Sequence, residues 1–580
     1  MGIFKKRVNE FPTPYTCMNA VKKGGIETKL SMVLMGFGNI VHGQMIKGLI
    51  YLAVEAAYVV FMVMAGAHCI AMLPSLGSVE QQEVWNEAAQ VYTYTKGDQS
   101  ILILLYGVAT ILLTFLMVCA WRGTLKSAYK AECLAKEGRH VNNFREDLKS
   151  LLHENLQRLL MTPPMAFIAL FTILPLIFMI CMAFTNYSKI GEHLVLFDWV
   201  GLDNFKTLFD SSSILGSTFW SVLGWTLVWA FFATFSNYIF GMIVSLLINR
   251  RGTRAKGFWR FCFVLSCAVP MFVSLLIMRT MLQPEGAVLI MTTGKMRSAK
   301  RKRFITNSAV HIFLGVLAVI WVFPIIWVIL TSFRAERGSY VSTFLPQSYT
   351  LDNYIRLFTD TSILNFPQMF MNTLFIAVCS CILATFYVLA VSYCLSRLRF
   401  KLRKPYMNMA MILGLFPGFM SMVAVYFILK ALGLSEGNLI KLALILVYSG
   451  GAGLSFQIAK GFFDTIPYSI DEAALLDGCT KWQIFTKITL PLSKPIVIYT
   501  TLTSFMSPWL DFIFAKVICR ANSDQYTIAI GLWRMLEKEY IDSWYTCFAA
   551  GAVLISIPIA ALFLYMQRYY VDGLSGAVKG

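Results

Sequence analysis

Ile466-Pro467-Tyr468-Ser469-Ile470-Asp471-Glu472-Ala473-Ala474-Leu475-Leu476-Asp477-Gly478, followed after nine residues by Ile488-Thr489-Leu490-Pro491, decides the reading of this chain. The stretch is polar and charged and lies between two long apolar segments. Proline suits the first turn of a helix, where the amide hydrogen it lacks has no partner anyway, so Ile466-Pro467 predicts a short helix start. Ala473 and Ala474 leave one face of that helix small and open to a close partner. Gly478 permits a sharp bend into a second short helix, which Pro491 is expected to separate from the next apolar segment. A rigid, small-faced bracket at the mouth of a membrane is a part that an external motor can push.

The 580 residues are 57% apolar and 14% charged. Soluble domains carry about 25% charged residues, so the composition is that of an all-α polytopic membrane protein. Stretches approaching the roughly 20 apolar residues that fill a bilayer core fall at 46–72, 101–121, 162–185, 219–248, 262–282, 309–332, 369–395, 406–430, 438–461, 492–514 and 546–567, about 11 spans. The net charge of +19 raises nucleic acid as a partner, but the basic residues gather in short loops beside spans. That is the positive-inside distribution, and no nucleic acid is expected. The thirteen cysteines lie mostly within spans, as Cys379 and Cys381 do, with no Cys-x-x-Cys spacing. They read as small packing residues, and no metal site is expected. Lys5, Lys6, Arg7, Lys22, Lys23 and Lys29 hold the N-terminus in the cytoplasm rather than marking a cleaved signal.

Two parts of the chain align with each other. Pro175 within Phe171–Phe184 parallels Pro324 within Ile320–Phe333, and Leu202-Asp203-Asn204-Phe205 parallels Leu351-Asp352-Asn353-Tyr354, both at an offset of 149 residues. After a slip of two residues Thr226-Leu227 meets Thr373-Leu374 and Pro270 meets Pro417. A basic loop follows in each copy: Arg250, Arg251, Arg254 and Lys256 in one, Arg397, Arg399, Lys401 and Arg403 in the other. The shared offset predicts two homologous halves in the same orientation, a parallel repeat. The second copy runs about 160 residues past Pro417, the first only about 20 past Pro270. Met291-Thr292-Thr293-Gly294-Lys295-Met296-Arg297-Ser298-Ala299-Lys300-Arg301-Lys302-Arg303 then reads like a fresh cytoplasmic N-terminus.

Charge leads to the same shortfall. With 1–45 inside, the acidic 75–100 loop (Glu80, Glu83, Glu87, Asp98) falls outside, 122–158 inside, 186–217 outside and 250–260 inside. A fifth span then strands the basic linker outside, whereas 397–404, the loop at Glu472 and Arg568 fall inside only if that linker is cytoplasmic. An odd number of crossings is missing, and the second copy sets it at three.

The full spacing Glu-Ala-Ala-x3-Gly-x9-Ile-x-Leu-Pro between apolar spans resembles the cytoplasmic docking loop of ABC importer permeases, which seats in a cleft on an ATP-hydrolysing subunit. Phe505–Phe512 with Pro508-Trp509, Tyr526–Leu532, and the tail from Gly573 to Gly580 are similar to binding-protein-dependent sugar importers, specifically the maltose/maltodextrin permease pair. The resemblance implies a type I ABC importer transmembrane fold. Residues 1–160 would be an N-terminal extension with two transmembrane helices, 161–290 a truncated first permease core lacking its C-terminal three spans, and 291–308 a basic junction. Residues 309–580 would be a complete second core with its docking loop at 463–491, coupling through 466–491. Such a chain looks like a larger permease subunit joined in frame to a complete smaller one.

The resemblance further implies an ABC ATPase dimer as motor, with ATP and magnesium held on that partner and no cofactor on this chain. It implies an extracellular or periplasmic sugar-binding protein, a maltodextrin-type sugar, surrounding lipid of a bacterial cell membrane, and an intact larger permease subunit as a further candidate partner. Docking would fall to Ile466, Pro467, Glu472, Ala473, Ala474, Asp477, Gly478, Ile488, Leu490 and Pro491. No Gly-x4-Gly-Lys-[Ser/Thr] phosphate loop occurs, since Gly294-Lys295-Met296 lacks the glycine spacing and the hydroxyl. ATP hydrolysis is therefore expected on a separate subunit, and no catalytic residue is named.

Sugars stack their C–H faces on aromatic rings, which makes Trp225, Trp229, Asn237 and Tyr238, with Trp220 nearby, candidates for the substrate path; a lipid-facing aromatic belt is the alternative. Asp511, near the outer end of its span, is a further path candidate, with contact to the binding protein or a helix cap as its alternative roles. The outer loop 517–545, with Tyr526, Trp533 and Arg534, is the expected binding-protein contact. Glu55, inside the first span, is expected to face other helices with a hydrogen-bond partner. A secondary, ion-coupled transporter and a non-functional fusion of two permease genes stay open as alternatives.

Overall fold

The computed structural model describes residues 15–576 except 81–82, 87–90, 95–96, 188–195, 251, 269–298, 339–342, 344, 417 and 451–452. Lys5 to Arg7, Glu87, Arg251, Pro270, Pro417, the linker through Ser298, the fifth span beyond Ala268 and the last four residues lie outside the described set. The chain is an all-α polytopic membrane protein built as two compact units, Met1–Lys206 with Tyr468–Lys487, and Thr207–Pro467 with Ile488–Gly580. Among the described residues seven helices are long and apolar enough to cross a membrane, or nine if each of two bent pairs is one span.

In the first unit three short helices, Cys17–Lys23, Ile26–Leu30 and Phe37–Val41, gather on the C-terminal half of the long helix Ser100–Lys136. The buried Glu132 carboxylate accepts the Gly25 N–H at 2.8 Å and the Thr28 hydroxyl at 2.5 Å and pairs with Lys136 at 2.5 Å. Trp121 Nε1 donates to the Met32 carbonyl at 2.9 Å. These bonds account for a helix that continues past the expected span end at 121 to Lys136. Gly36 adopts φ +88°, and a Cβ there would come within 2.5 Å of the Gly48 carbonyl oxygen, so only glycine lets the chain turn into the first span, Met45–Met72. Glu55 in that span accepts the Met35 N–H at 2.7 Å, the partner expected of a carboxylate at membrane depth. The acidic 75–100 loop holds a short antiparallel hairpin, Glu83–Asn86 with Val91–Tyr94. There the Ser78 and Val79 N–H groups bond the Asp98 carboxylate and hold it below the usual carboxylate range.

The sequence repeat recurs in local geometry. Asn204 donates from Nδ2 to the carbonyls of Ala183 and Thr185 at 3.0 and 2.7 Å. Asn353 donates to Ser332 and Arg334, each 149 positions later, at 3.1 and 2.7 Å. The ring contacts repeat too, Phe184 with Phe205 at 5.4 Å and Phe333 with Tyr354 at 5.3 Å. In both copies the asparagine bonds carbonyls that a helix end leaves without partners.

The two copies differ in what surrounds their next helix. Phe366–Arg397 packs against Leu439–Ser449, Gly453–Asp464 and Lys494–Leu510 in the second unit and is largely buried. Its counterpart in the repeat, Ile214–Asn249, buries only Gly216 and Ile248. The helices that cover Phe366–Arg397 come from the stretch for which the first copy has no sequence equivalent. The core of the second unit gathers round the fully buried Trp509, with Phe366, Met369, Leu532, Trp544 and Phe548.

Three spans read as continuous are interrupted. Residues 406–430 form Arg403–Leu415 and Met422–Ala431 with a 3₁₀ turn, Gly418–Ser421, between them, which starts at a glycine, a weak helix former. Residues 438–461 bend by 50° between Leu439–Ser449 and Leu454–Asp464, across the glycine-rich 450–453, and 492–514 bends by 61° at Asp511. Asn353 is buried and also accepts the Thr546 hydroxyl at 2.8 Å, whereas Asn204 is exposed. Asn353→Ala is therefore expected to cost about 2–3 kcal/mol and Asn204→Ala under about 1, measured as the difference in thermal midpoint of the purified protein in mild detergent.

Candidate functional site

The loop at Glu472 starts where Gly453–Asp464 ends, and a helix C-terminus leaves carbonyls without partners. Arg397, the buried last residue of Phe366–Arg397, meets this end: Nη2 donates to the carbonyl of Phe463 in the last turn and to that of Ile466 just beyond it, both at 2.7 Å. A guanidinium there also meets the negative end of the helix dipole. Ser396 adds a bond from Oγ to Asp464 Oδ1 at 2.6 Å. The entry to the loop is thereby fixed to the neighbouring long helix.

After the exposed Pro467 the helix Tyr468–Leu476 begins, as Ile466-Pro467 predicts. The two alanines do not share an open face. Successive helical residues point about 100° apart, so Ala474 is buried while Ala473 is exposed. Glu472 and Asp477 are exposed with Ala473, and beside them stand Tyr468, Leu475 and Leu476, the last 89% exposed. This apolar rim was not among the expected docking residues. Gly478 turns the chain with φ +82°, and nothing lies within 4 Å of where a Cβ would be. Conformation, not crowding, demands glycine here.

Thr480 then caps a second helical run with a capping box, its hydroxyl accepting the Gln483 N–H and the Gln483 side chain accepting the Thr480 N–H. The run continues as Lys481–Gln483, a π turn Ile484–Thr489 and Leu490–Leu492. Ile484 and Phe485 are buried, Ile488 and Leu490 half-buried and Pro491 exposed. Pro491 does not separate this run from the span; the break falls at Ser493, before Lys494–Leu510. A π turn just upstream widens the helix where the proline ring would block a normal i to i−4 bond, so the ring is accommodated.

The other candidates are scattered. Trp225, Trp229, Asn237 and Tyr238 are all exposed on Ile214–Asn249. The two tryptophans share a face, while 237 and 238 point roughly 120° and 220° away from Trp225, so they form no single lining. Asp511 accepts the Tyr448 hydroxyl at 2.7 Å and the Phe514 N–H at 3.1 Å, which ties the bent span. Tyr526 donates its hydroxyl to the Arg520 carbonyl at 2.7 Å, Trp533 stacks on Phe512 at 4.6 Å, and Arg534 is half-buried. The 517–545 loop is packed rather than solvated, with Ile528–Leu532 buried. Among the described residues no group of three or more His, Cys, Asp or Glu side chains is arranged to hold a metal, and the twelve cysteines with described side chains are free thiols.

Comparison with known proteins bears directly on the loop. Residues 386–576, which contain all of it, match the family model of the binding-protein-dependent transport system inner membrane component. The galactooligosaccharides transport system permease protein GanQ of Bacillus subtilis is 33% identical over 283 residues, 48% of this chain and 98% of that protein. The maltose/maltodextrin transport system permease protein MalG of Vibrio parahaemolyticus is 33% identical over 310 residues, 50% of this chain and 99% of its own length. The chain belongs to the binding-protein-dependent permeases of ABC importers. A crystal structure of a bacterial ABC transporter involved in the import of the acidic polysaccharide alginate is 22% identical with a TM-score of 0.40, covering 48% of this permease and all of that chain. A relative's full length thus accounts for about half of this permease.

Arg397 was legible only as one more positive charge in a basic loop, and no sequence signal distinguished the buried cap from its exposed neighbours. Its loss in Arg397→Ala is expected to cost about 3 kcal/mol, the scale of two charged hydrogen bonds. Amide exchange should accelerate across 463–476 first, as hydrogen–deuterium exchange would record.

Proposed function

We propose that this permease forms the sugar path of an ATP-driven, binding-protein-dependent importer of maltodextrin-type oligosaccharides and couples to an ATPase dimer through 466–491. The observation that carries it is a helix, Tyr468–Leu476, entered through the Arg397 cap and left through Gly478, with an exposed face of Tyr468, Glu472, Ala473, Leu475, Leu476 and Asp477. Exposed leucines at the rim of a short capped helix suit insertion into a partner's cleft. The sugar class follows the names of relatives matched nearly end to end. ATP and magnesium reside on the partner, which hydrolyses ATP; this chain transports and does not catalyse.

The coupling step is mechanical. Closure of the ATPase pair moves Tyr468–Leu476, and the chain carries the displacement into Gly453–Asp464. Arg397, bonded to the carbonyls of Phe463 and Ile466, passes it on to Phe366–Arg397, the helix round which the second unit packs. The loop and the N-terminus lie on the cytoplasmic side, and a sugar-binding protein docks on the opposite face, where Tyr526, Trp533 and Arg534 are the candidate contacts. Trp225, Trp229, Asn237 and Tyr238 are candidates for the sugar path.

The chain holds two permease cores, 161–290 and 309–580, of which the first lacks its last three spans. The bare helix Ile214–Asn249 supports this, because its counterpart is covered by helices from that very stretch. One docking loop then grips one ATPase subunit. Purification in mild detergent with the ATPase should yield one ATPase subunit per chain, and two would overturn the truncated first core. Leu476→Asp is expected to abolish co-purification with the thermal midpoint unchanged; retained binding would refute the docking role.

A further inference from the structure

Resting on the docking reading, we infer that the segment Asn142–Leu152 is a brace holding the second limb of the docking loop, with Lys47 and Asp147 as its positioning residues. The residues involved all fall in the first compact unit, which includes Tyr468–Lys487.

The helix Phe144–Leu151 is closed at its start by a capping box, in which Asn143 Oδ1 accepts the Glu146 N–H at 3.0 Å and the Asn143 N–H donates to Glu146 at 2.9 Å. His140, bonded to the same carboxylate at 2.7 Å, and the Asn143 N–H hold Glu146 below the usual carboxylate range, so the box keeps its charged form at neutral pH. Two bonds fix the segment to the start of the first span and the residue before it. Lys47 pairs with Asp147 at 2.7 Å, and Gln44 Nε2 donates to the Asn142 carbonyl at 2.7 Å. Gln44 is itself held, since the buried Asn39 amide donates to Gln44 Oε1 at 2.6 Å and to Ser127 Oγ at 3.0 Å.

The far end of this short helix meets the loop. The Leu152 carbonyl, at the C-cap, accepts the Trp482 N–H at 3.3 Å. Both groups are ones that helix geometry leaves over, a carbonyl at a C-terminus and an N–H in the first turn of 481–492. They also carry opposite ends of two helix dipoles, so their meeting is favoured beyond the single bond. The brace therefore grips the limb that follows Gly478 and leaves Glu472, Ala473, Leu475 and Leu476 exposed for the motor. A lever held at one limb transmits displacement that an unbraced loop would absorb by swinging about Gly478.

The test is hydrogen–deuterium exchange on the full chain in mild detergent. Asp147→Asn and Lys47→Gln should each accelerate exchange across 479–485 by about tenfold while 366–397 is unchanged. The reciprocal pair Lys47→Asp with Asp147→Lys should restore protection. In complex with the ATPase, the single variants should still bind the motor but lose transport-coupled hydrolysis. Unchanged exchange across 479–485, or acceleration of 366–397 to the same degree, would overturn the brace. Loss of ATPase binding by the wild-type chain would instead refute the docking reading, and the exchange data would still decide the brace.

Discussion

Arg397 is the point on which the geometry at the entry to the loop depends. A helix that ends in the open leaves its last carbonyls to water, and its direction is then free to wander. Here a buried guanidinium takes the Phe463 carbonyl of the last turn and the Ile466 carbonyl just beyond it at once, from a residue that ends a largely buried helix of the second unit. The arrangement makes one rigid corner of two helix ends. A lysine has the charge but not the planar fork, so it cannot hold two separate carbonyls in fixed directions as a guanidinium does. The corner fixes the chain as far as Ile466, one residue before Pro467.

The internal repeat shows how far one sequence pattern carries. The asparagine that ties the turn makes the same two bonds in both copies, and the aromatic pair beside it recurs within 0.1 Å. Those interactions are local, between residues about twenty positions apart, so each copy satisfies them unaided. The following helix is different. Phe366–Arg397 and Ile214–Asn249 are alike in length and apolarity, yet one is enclosed and the other bare. Apolarity alone makes a span; enclosure requires partner helices, and those are present only where the chain supplies them.

The same division separates what was legible in the sequence from what was not. Spans, the repeat, the helix after Pro467 and the bend at Gly478 all follow from composition and local backbone preference. The breaks at Gly418–Ser421, between Ser449 and Leu454 and at Asp511 leave no mark in hydropathy averaged over the length of a span. Ala473 and Ala474 are alike in size, and only helical phase turns one outward and the other inward. Pro491 was given the role of a stop because a widened turn upstream of a proline leaves no mark in residue type. Arg397 reads only as one charge of a basic loop, since nothing in a sequence tells a buried ion from a solvated one.

Gly478 shows why the loop has two limbs rather than one continuous helix. Its φ of +82° lies in the region that a Cβ disfavours, yet the space around it is open. Packing does not force the turn, so the turn is set by the backbone of this one residue. A substitution with a side chain would cost about 1–2 kcal/mol in conformation without touching a neighbour, and that cost would be relieved by straightening the bend. The glycine therefore separates two requirements that one helix cannot meet together: a face free to be gripped, and a second limb whose first-turn N–H is already engaged.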